Sequence, residues 1–191
     1  MLGKRSLEPE RPKSFWGEMA PSEHLLQAYD DRDAFLDTLE GFVGGGLHAG
    51  EAVVVIATAP VRKALRSRLD AAGHEIAAAA AEDRYIALDA EETLAKFMRE
   101  GWPADEPFTQ VITGILGRAG HPGRRVRAFG EMVAVLWAQG HVGATVRLEN
   151  LWHRLCENKS FPLFCAYPRI GLTQGPEESV REICETHSRI V

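Results

Sequence analysis

Apolar positions follow two rhythms along this chain, and the two alternate. Short unbroken runs, with Ala52-Val53-Val54-Val55-Ile56-Ala57 the clearest, are separated by stretches in which apolar residues return every three or four positions. An unbroken, β-branched run has no polar face, so it suits a strand covered on both sides. The three-to-four spacing marks a helix with one buried stripe.

Strands are therefore predicted at His24–Tyr29, 52–58, Arg84–Leu88, Arg125–Phe129 and Leu163–Tyr167. The first helix starts at an Asp30 cap, carries Phe35, Leu39 and Phe42, and ends at Gly44-Gly45-Gly46, since glycine suits a left-handed helix stop. A second starts at Thr58, with Pro60 in its first turn, and runs through Val61, Leu65 and Leu69 to Gly73. Asp89 caps a third, bearing Leu94, Phe97 and Met98, which Gly101-Trp102-Pro103 closes. Phe108, Ile112, Leu116 and Ala119 stripe the fourth. Met132 to Ala138 is apolar nearly all round, and Leu148, Leu151, Trp152 and Leu155 share one face of the helix after it. Pro176 opens a last helix with the stripe Val180, Ile183, Cys184, His187 and Val191.

Strands alternating with helices at crossover spacing predict a three-layer, doubly wound, mostly parallel α/β sheet. Residues 1–21, charged and punctuated by Pro9, Pro12 and Pro21, read as a flexible lead-in; its Phe15-Trp16 cluster either docks on the domain or on a neighbouring subunit, or is disordered with the rest. Residues 22–170 read as the domain and 171–191 as a C-terminal connector helix, which either docks on the domain or serves to pair or to pass a signal onward.

Composition narrows the function classes. A chain of 191 residues with 45% hydrophobic content supports one domain with a true core. A net charge of −5 argues against bulk nucleic-acid binding, and Arg118, Arg124, Arg125 and Arg127 read as a solvated basic loop beside a strand. No apolar run approaches the roughly 20 residues of a spanning helix, and the charged start lacks an apolar leader. Three cysteines do not make a secreted disulfide framework. The expected compartment is the cytoplasm, with no membrane involvement.

Open α/β sheets bind ligands beyond the carboxyl ends of their strands. A phosphate loop there needs G-x-x-x-x-G-K-[ST], but the stretch after 52–58 reads Thr58-Ala59-Pro60-Val61-Arg62-Lys63. The remaining anion cradle is the helix start itself, with Arg62 and Lys63 nearby. Glu131, just past a strand end, is placed to accept a ligand hydrogen bond, orient a water or hold a metal; as a bland alternative, its charge simply suits a first helical turn. Glu149 and Arg147 read as a structural ion pair. Trp102, Trp137 and Trp152 are core packing or the lining of an apolar pocket. His153, Cys156 and Cys165, or Cys184 and His187, have spacings a metal tolerates, but neither carries a C-x-x-C signature, so buried thiols are the preferred reading and no metal or cofactor is expected. No G-x-S-x-G elbow or H-E-x-x-H helix is present.

Several stretches in order, His24…Tyr29, Gly45-Gly46-Leu47-His48-Ala49-Gly50-Glu51, Ala57-Thr58-Ala59-Pro60, Leu88-Asp89-Ala90-Glu91-Glu92-Thr93-Leu94, Phe129-Gly130-Glu131-Met132, Arg147-Leu148-Glu149-Asn150-Leu151-Trp152 and Cys165-Ala166-Tyr167-Pro168, together resemble the MEDS domain. The name stands for methanogen/methylotroph, DcmR-like sensory domain, and the resemblance covers roughly residues 22–170. The segment Arg181 to Ser188 is similar to what commonly follows that domain in signalling proteins. The resemblance implies a sensory input module of prokaryotic signal transduction, with a core similar to the RecA/KaiC-type ATPase fold and a degenerate phosphate loop. It also implies recognition of small hydrocarbon-like ligands, halogenated ones included. A chain of 191 residues leaves no room for a kinase or DNA-binding output, so the partner is expected to be a separate histidine kinase or transcription regulator, unless the chain is a piece of something longer.

The resulting expectation is a non-enzymatic sensor with candidate ligand contacts at Thr58, Arg62, Lys63, Glu131, Trp137 and Tyr167. The alternative is a divergent RecA-like nucleotide-binding protein or ATPase using the Thr58–Lys63 helix start. A third reading is a homo-oligomeric scaffold without a ligand.

Overall fold

A computed structural model describes Trp16 and residues 19–191 except Pro122. Phe15, and with it most of the predicted lead-in, lies outside the described residues. In chain order the elements are β1 (His24–Tyr29), α1 (Arg32–His48), β2 (Ala52–Ala57), α2 (Ala59–Ala71), α3 (Ile76–Ala81), β3 (Tyr85–Asp89), α4 (Ala90–Phe97), β4 (Met98–Arg99), β5 (Trp102–Pro103), α5 (Asp105–Ala119), β6 (Val126–Gly130), α6 (Met132–Ala138), α7 (Val142–Lys159), β7 (Leu163–Pro168), α8 (Arg169–Thr173), α9 (Glu177–Glu185) and β8 (Arg189–Ile190).

Six strands form one parallel sheet in the order β3-β2-β6-β7-β1-β8. Helices cover both faces, as the alternation predicts. Along β2 every residue is buried, and the side chains divide by parity. Val53, Val55 and Ala57 join the core under α1, α2 and α3, with Leu39, Phe42, Leu65 and Ile76. Ala52, Val54 and Ile56 join the opposite core, where Phe97, Phe108, Leu136, Leu148 and Trp152 come from α4, α5, α6 and α7.

The glycine run is a departure from expectation. Helix α1 does not stop at Gly44; it continues to His48, and its N-cap is Asp31, which accepts from the Asp33 and Ala34 amides, rather than Asp30. The reason is tertiary. A Cβ on Gly45 would lie 2.7 Å from Trp16 Cβ, and one on Gly46 would lie 2.7 Å from Arg127 Cδ and 2.9 Å from Val53 Cγ2. The glycines open a groove in the helix for Trp16 and for a buried arginine. The left-handed turn comes later, at Gly50 with φ of 75°.

Arg127 was expected in a solvated basic loop; instead it is fully buried on β6. Its Nε and Nη2 both lie 2.5 Å from the Glu51 carboxylate, Nη1 donates to the Phe42 and Trp16 carbonyls at 3.0 and 2.8 Å, and its carbon stands 5.3 Å from the Phe42 ring centre. The Glu51 carboxylate balances the buried guanidinium, as a buried charge requires. Arg118 and Arg124 do stay near the surface, on Asp83 and the Glu82 carbonyl.

Some small elements escaped the hydrophobic pattern. Helix α3 is an alanine turn, and Glu100 and Gly101, with φ of 49° and 82°, fold Met98–Arg99 onto Trp102–Pro103 as a hairpin. At the C-terminus the predicted helical stripe is helical only to Glu185; the chain then turns, and β8 pairs beside β1 as the edge strand.

These packings give two mid-helix glycines opposite signs. Gly46→Ala should lower stability by about 1–3 kcal/mol, overpacking outweighing the helix-propensity gain. Gly114→Ala in α5, where nothing lies within 4 Å of the added methyl, should raise stability by about 0.5–1 kcal/mol. Urea midpoints of the two variants check this; equal shifts of one sign would contradict it.

Candidate functional site

β2 and β6 run side by side in register, Ile56 opposite Gly130, so Thr58 and Glu131 leave the sheet as neighbours at its carboxyl edge. The Glu131 amide donates to the Ile56 carbonyl at 2.8 Å, which fixes its backbone. Its side chain then accepts the Thr58 amide at 2.6 Å. Thr58 is the N-cap of α2 by backbone geometry, with φ −64° and ψ 155°, but its side chain makes no capping bond. The carboxylate arriving from the next strand takes that role.

A helix start with free amides is where related sheet folds seat an anion. Here the chain supplies its own. Pro60 removes another donor from the first turn. Arg62 is committed elsewhere, donating from Nε to the Ala57 carbonyl at 3.0 Å and from Nη2 to Asp89 at 2.7 Å. Asp89 caps α4 as predicted, accepting from the Glu92 and Glu91 amides; the Glu92 amide first, and Arg62 after it, hold its carboxyl below the usual range. Lys63 is exposed and makes no ion pair among the described residues. Burial pushes the Glu131 carboxyl above its ordinary value, against the opposing pull of the Thr58 amide and Arg32. Tyr29 is close enough that burial, and Glu131 after it, raise its hydroxyl as well. The edge therefore gathers Thr58, Arg62 and Glu131, and adds Tyr29 and Asp89.

Trp137 and Tyr167 meet in the interior, ring centres 6.2 Å apart and edge-on. Both are buried: the Trp137 indole donates to the Gly171 carbonyl at 2.8 Å and the Tyr167 hydroxyl donates to Glu149. The three predicted pocket tryptophans do not line one cavity. Trp152 is fully buried against Phe108, whereas Trp102 is half-exposed over Gly143 beside a surface groove that includes Asp105, Arg147 and Arg154.

Glu149 marks a second polar centre. The expected pair with Arg147 does not form, because residues two apart on a helix face different ways. Arg147 binds Asp105 at 2.8 Å on the surface, while Glu149 points inward from α7 with no exposure. Around it stand His24 at the head of β1, Cys165 on β7 and His187 after α9. Glu149 Oε2 lies 3.6 Å from Nε2 of both His24 and His187, and Cys165 Sγ lies 3.5 Å from His24 Nε2. The imidazole ring centres are 3.9 Å apart. Each Nδ1 faces a backbone carbonyl, Thr186 for His24 at 3.0 Å and Ile183 for His187 at 2.6 Å. A carbonyl can only accept, so Nδ1 carries the hydrogen and Nε2 of the neutral ring turns a lone pair inward. Burial, then the neighbouring His187, pushes His24 down to about 2, which keeps it neutral.

Of the metal sets weighed from spacing, only Cys165 and His187 belong to this centre. Cys156 instead donates to the Phe161 carbonyl at 3.0 Å, and burial pushes its thiol up to about 12. His153 stacks on His24 at 5.9 Å and faces Glu157. The sequence signal for the centre was slight: one histidine starting a strand, and another on the apolar stripe of the tail.

A family model for MEDS, the MEthanogen/methylotroph, DcmR Sensory domain, matches residues 23–188. The chain belongs to the MEDS family. The match to MEDS takes in both polar centres and reaches past α9 to His187, and the family description makes the role sensory. No curated protein matches the chain. No helix among the described residues of this MEDS chain is long and apolar enough to cross a membrane.

The Glu131 carboxyl, raised in the fold, fixes a pH dependence. Its neutral form is the better tolerated one, so the stability of the wild type relative to Glu131→Gln should be greatest below pH 4.5, the ordinary carboxyl value, and fall as pH rises through the folded-state value. Urea titrations of both proteins from pH 4 to 8 check the sign. The charged groups facing this carboxyl, Arg32 and Asp89, are shared by both proteins.

Proposed function

We propose that this chain is a non-enzymatic sensory module of prokaryotic signal transduction. Its ligand, a small hydrocarbon-like molecule, or a partner surface engages the carboxyl edge of the sheet around Thr58, Arg62, Lys63 and Glu131, with Trp137 and Tyr167 behind it. The terminal segment from Glu177 onward passes the change to a signalling partner such as a histidine kinase or transcription regulator. Membership of a sensory family supports the role. The observation that carries the choice of ligand class is the Glu131 carboxylate on the Thr58 amide at 2.6 Å. A triphosphate approaching that helix start would meet a carboxylate on the first donor and find Arg62 already paired with Asp89. An uncharged ligand meets no such repulsion. By linkage the ligand shifts the output only by its difference in affinity between two arrangements of the domain.

Thermal unfolding with small halogenated and aromatic compounds, against ATP with magnesium, tests this reading. At about a hundredfold over Kd, a ligand of the native state should raise the midpoint by roughly 5–10 °C. Glu131→Ala should abolish the shift, and ATP should leave the midpoint unchanged. A shift by ATP alone would overturn the proposal in favour of a nucleotide-binding protein.

A further inference from the structure

We propose that His24, Glu149, Cys165 and His187 bind one zinc-class divalent cation in a closed tetrahedral site that fastens the C-terminal segment to the sheet. This centre is separate from the carboxyl-edge site and stands without it.

Geometry is the first support. Metal–ligand bonds of about 2.0–2.3 Å in a tetrahedron place neighbouring donor atoms about 3.3–3.7 Å apart. Three of the six donor separations are 3.6, 3.6 and 3.5 Å, and all four donor atoms lie within 4.8 Å of one another, near enough for a cation to draw them in. As hydrogen bonds, contacts of 3.6 Å are too long to satisfy anything. Glu149 Oε2 and His187 Nε2 indeed have no hydrogen-bond partner although both are buried. Buried polar atoms are seldom left so, and two aimed at one point call for a shared cation.

Orientation is the second. Both histidines give their outer nitrogen to a backbone carbonyl, the arrangement that fixes a metal-binding imidazole. The Glu149 carboxylate is likewise divided: Oε1 accepts from the Tyr167 hydroxyl, leaving Oε2 for the centre.

Charge is the third. One carboxylate and one thiolate balance a divalent cation, and the two neutral imidazoles add nothing, so the buried set is neutral overall. Binding requires the Cys165 thiol to release its proton to solvent as the sulfur–metal bond forms. A nitrogen, oxygen and sulfur donor set in tetrahedral array suits zinc above magnesium or calcium, which demand oxygen. With four protein ligands no position is left for a water, so the role is structural.

The four ligands come from β1, α7, β7 and the turn after α9, so the cation joins the tail to three elements of the domain. Metal content of the full chain, purified without chelator, should be about one zinc per chain. The protein has three cysteines, so the variant carrying both Cys156→Ser and Cys184→Ser leaves Cys165 as the only sulfur. Stripped and reloaded with cobalt, this variant and the wild type should both show a thiolate-to-cobalt charge-transfer band and the strong visible bands of tetrahedral cobalt. His187→Ala should weaken cobalt binding at least tenfold, with helix content by circular dichroism reporting that the chain is still folded. Sub-stoichiometric zinc with no cobalt spectrum, a cobalt spectrum lacking the charge-transfer band, or loss of that band in the double-serine variant would each overturn the proposal.

Discussion

Withdrawing the Glu149 carboxylate from water is the constraint to which the rest of this molecule answers. An unpartnered carboxylate in an apolar interior is costly enough that its surroundings must either share its charge or hold it neutral. Burial does push Glu149 upward, while His187 and Tyr167 pull it back. The groups that respond come from the first strand, the last long strand and the final turn of the chain. Because they converge on one carboxylate, β1, β7, α7 and the tail cannot shift independently. Ile183, fully buried on the inner face of α9, and the bonds from Ser188 to His24 and from Val191 to Leu26 continue the same attachment.

The opposite helical layer repeats the device with the other sign. Arg127 is the buried cation there, answered by Glu51 and by two carbonyls, and the missing side chain of Gly46 on α1 leaves the space it occupies. At the carboxyl edge the device appears a third time, half-buried, as Glu131 on the Thr58 amide. In each case a charged side chain from one element satisfies or confronts groups of another, so the sheet is clamped by polar contacts as well as by its two apolar cores. The edge centre differs in being partly open to solvent, which is why it suits an exchangeable ligand and the other two suit permanence.

Much of the fold was legible because it rests on periodicity. The β2 run has no polar face, and the stripe of Phe108, Ile112 and Leu116 fits only a helix; both readings are local and both hold. The glycine run shows where local reading fails. Gly44-Gly45-Gly46 carries the signature of a helix stop, yet each is glycine because a side chain distant in sequence needs the room: His74 at Gly44, Trp16 at Gly45 and Arg127 at Gly46. For the edge site, the strand-end positions of Thr58 and Glu131 were legible, but the bond between them was not, since strand order is needed to make β2 and β6 neighbours. Glu149 was legible only as a charge near Arg147. Its true companions are numbered 24, 165 and 187, and no spacing rule joins residues that distant.

The central claim is that buried polar contacts make the C-terminal segment part of the folded unit. Amide hydrogen exchange of Ser188 and Val191 tests it most directly, since their N–H groups donate to the His24 and Leu26 carbonyls at 2.8 and 2.9 Å. The account predicts that both amides exchange only through the opening that exposes the β1 amides, and that His24→Ala frees the two tail amides before those of the β2 core. Exchange of Ser188 and Val191 in the wild type at the rate of an unstructured peptide would contradict it.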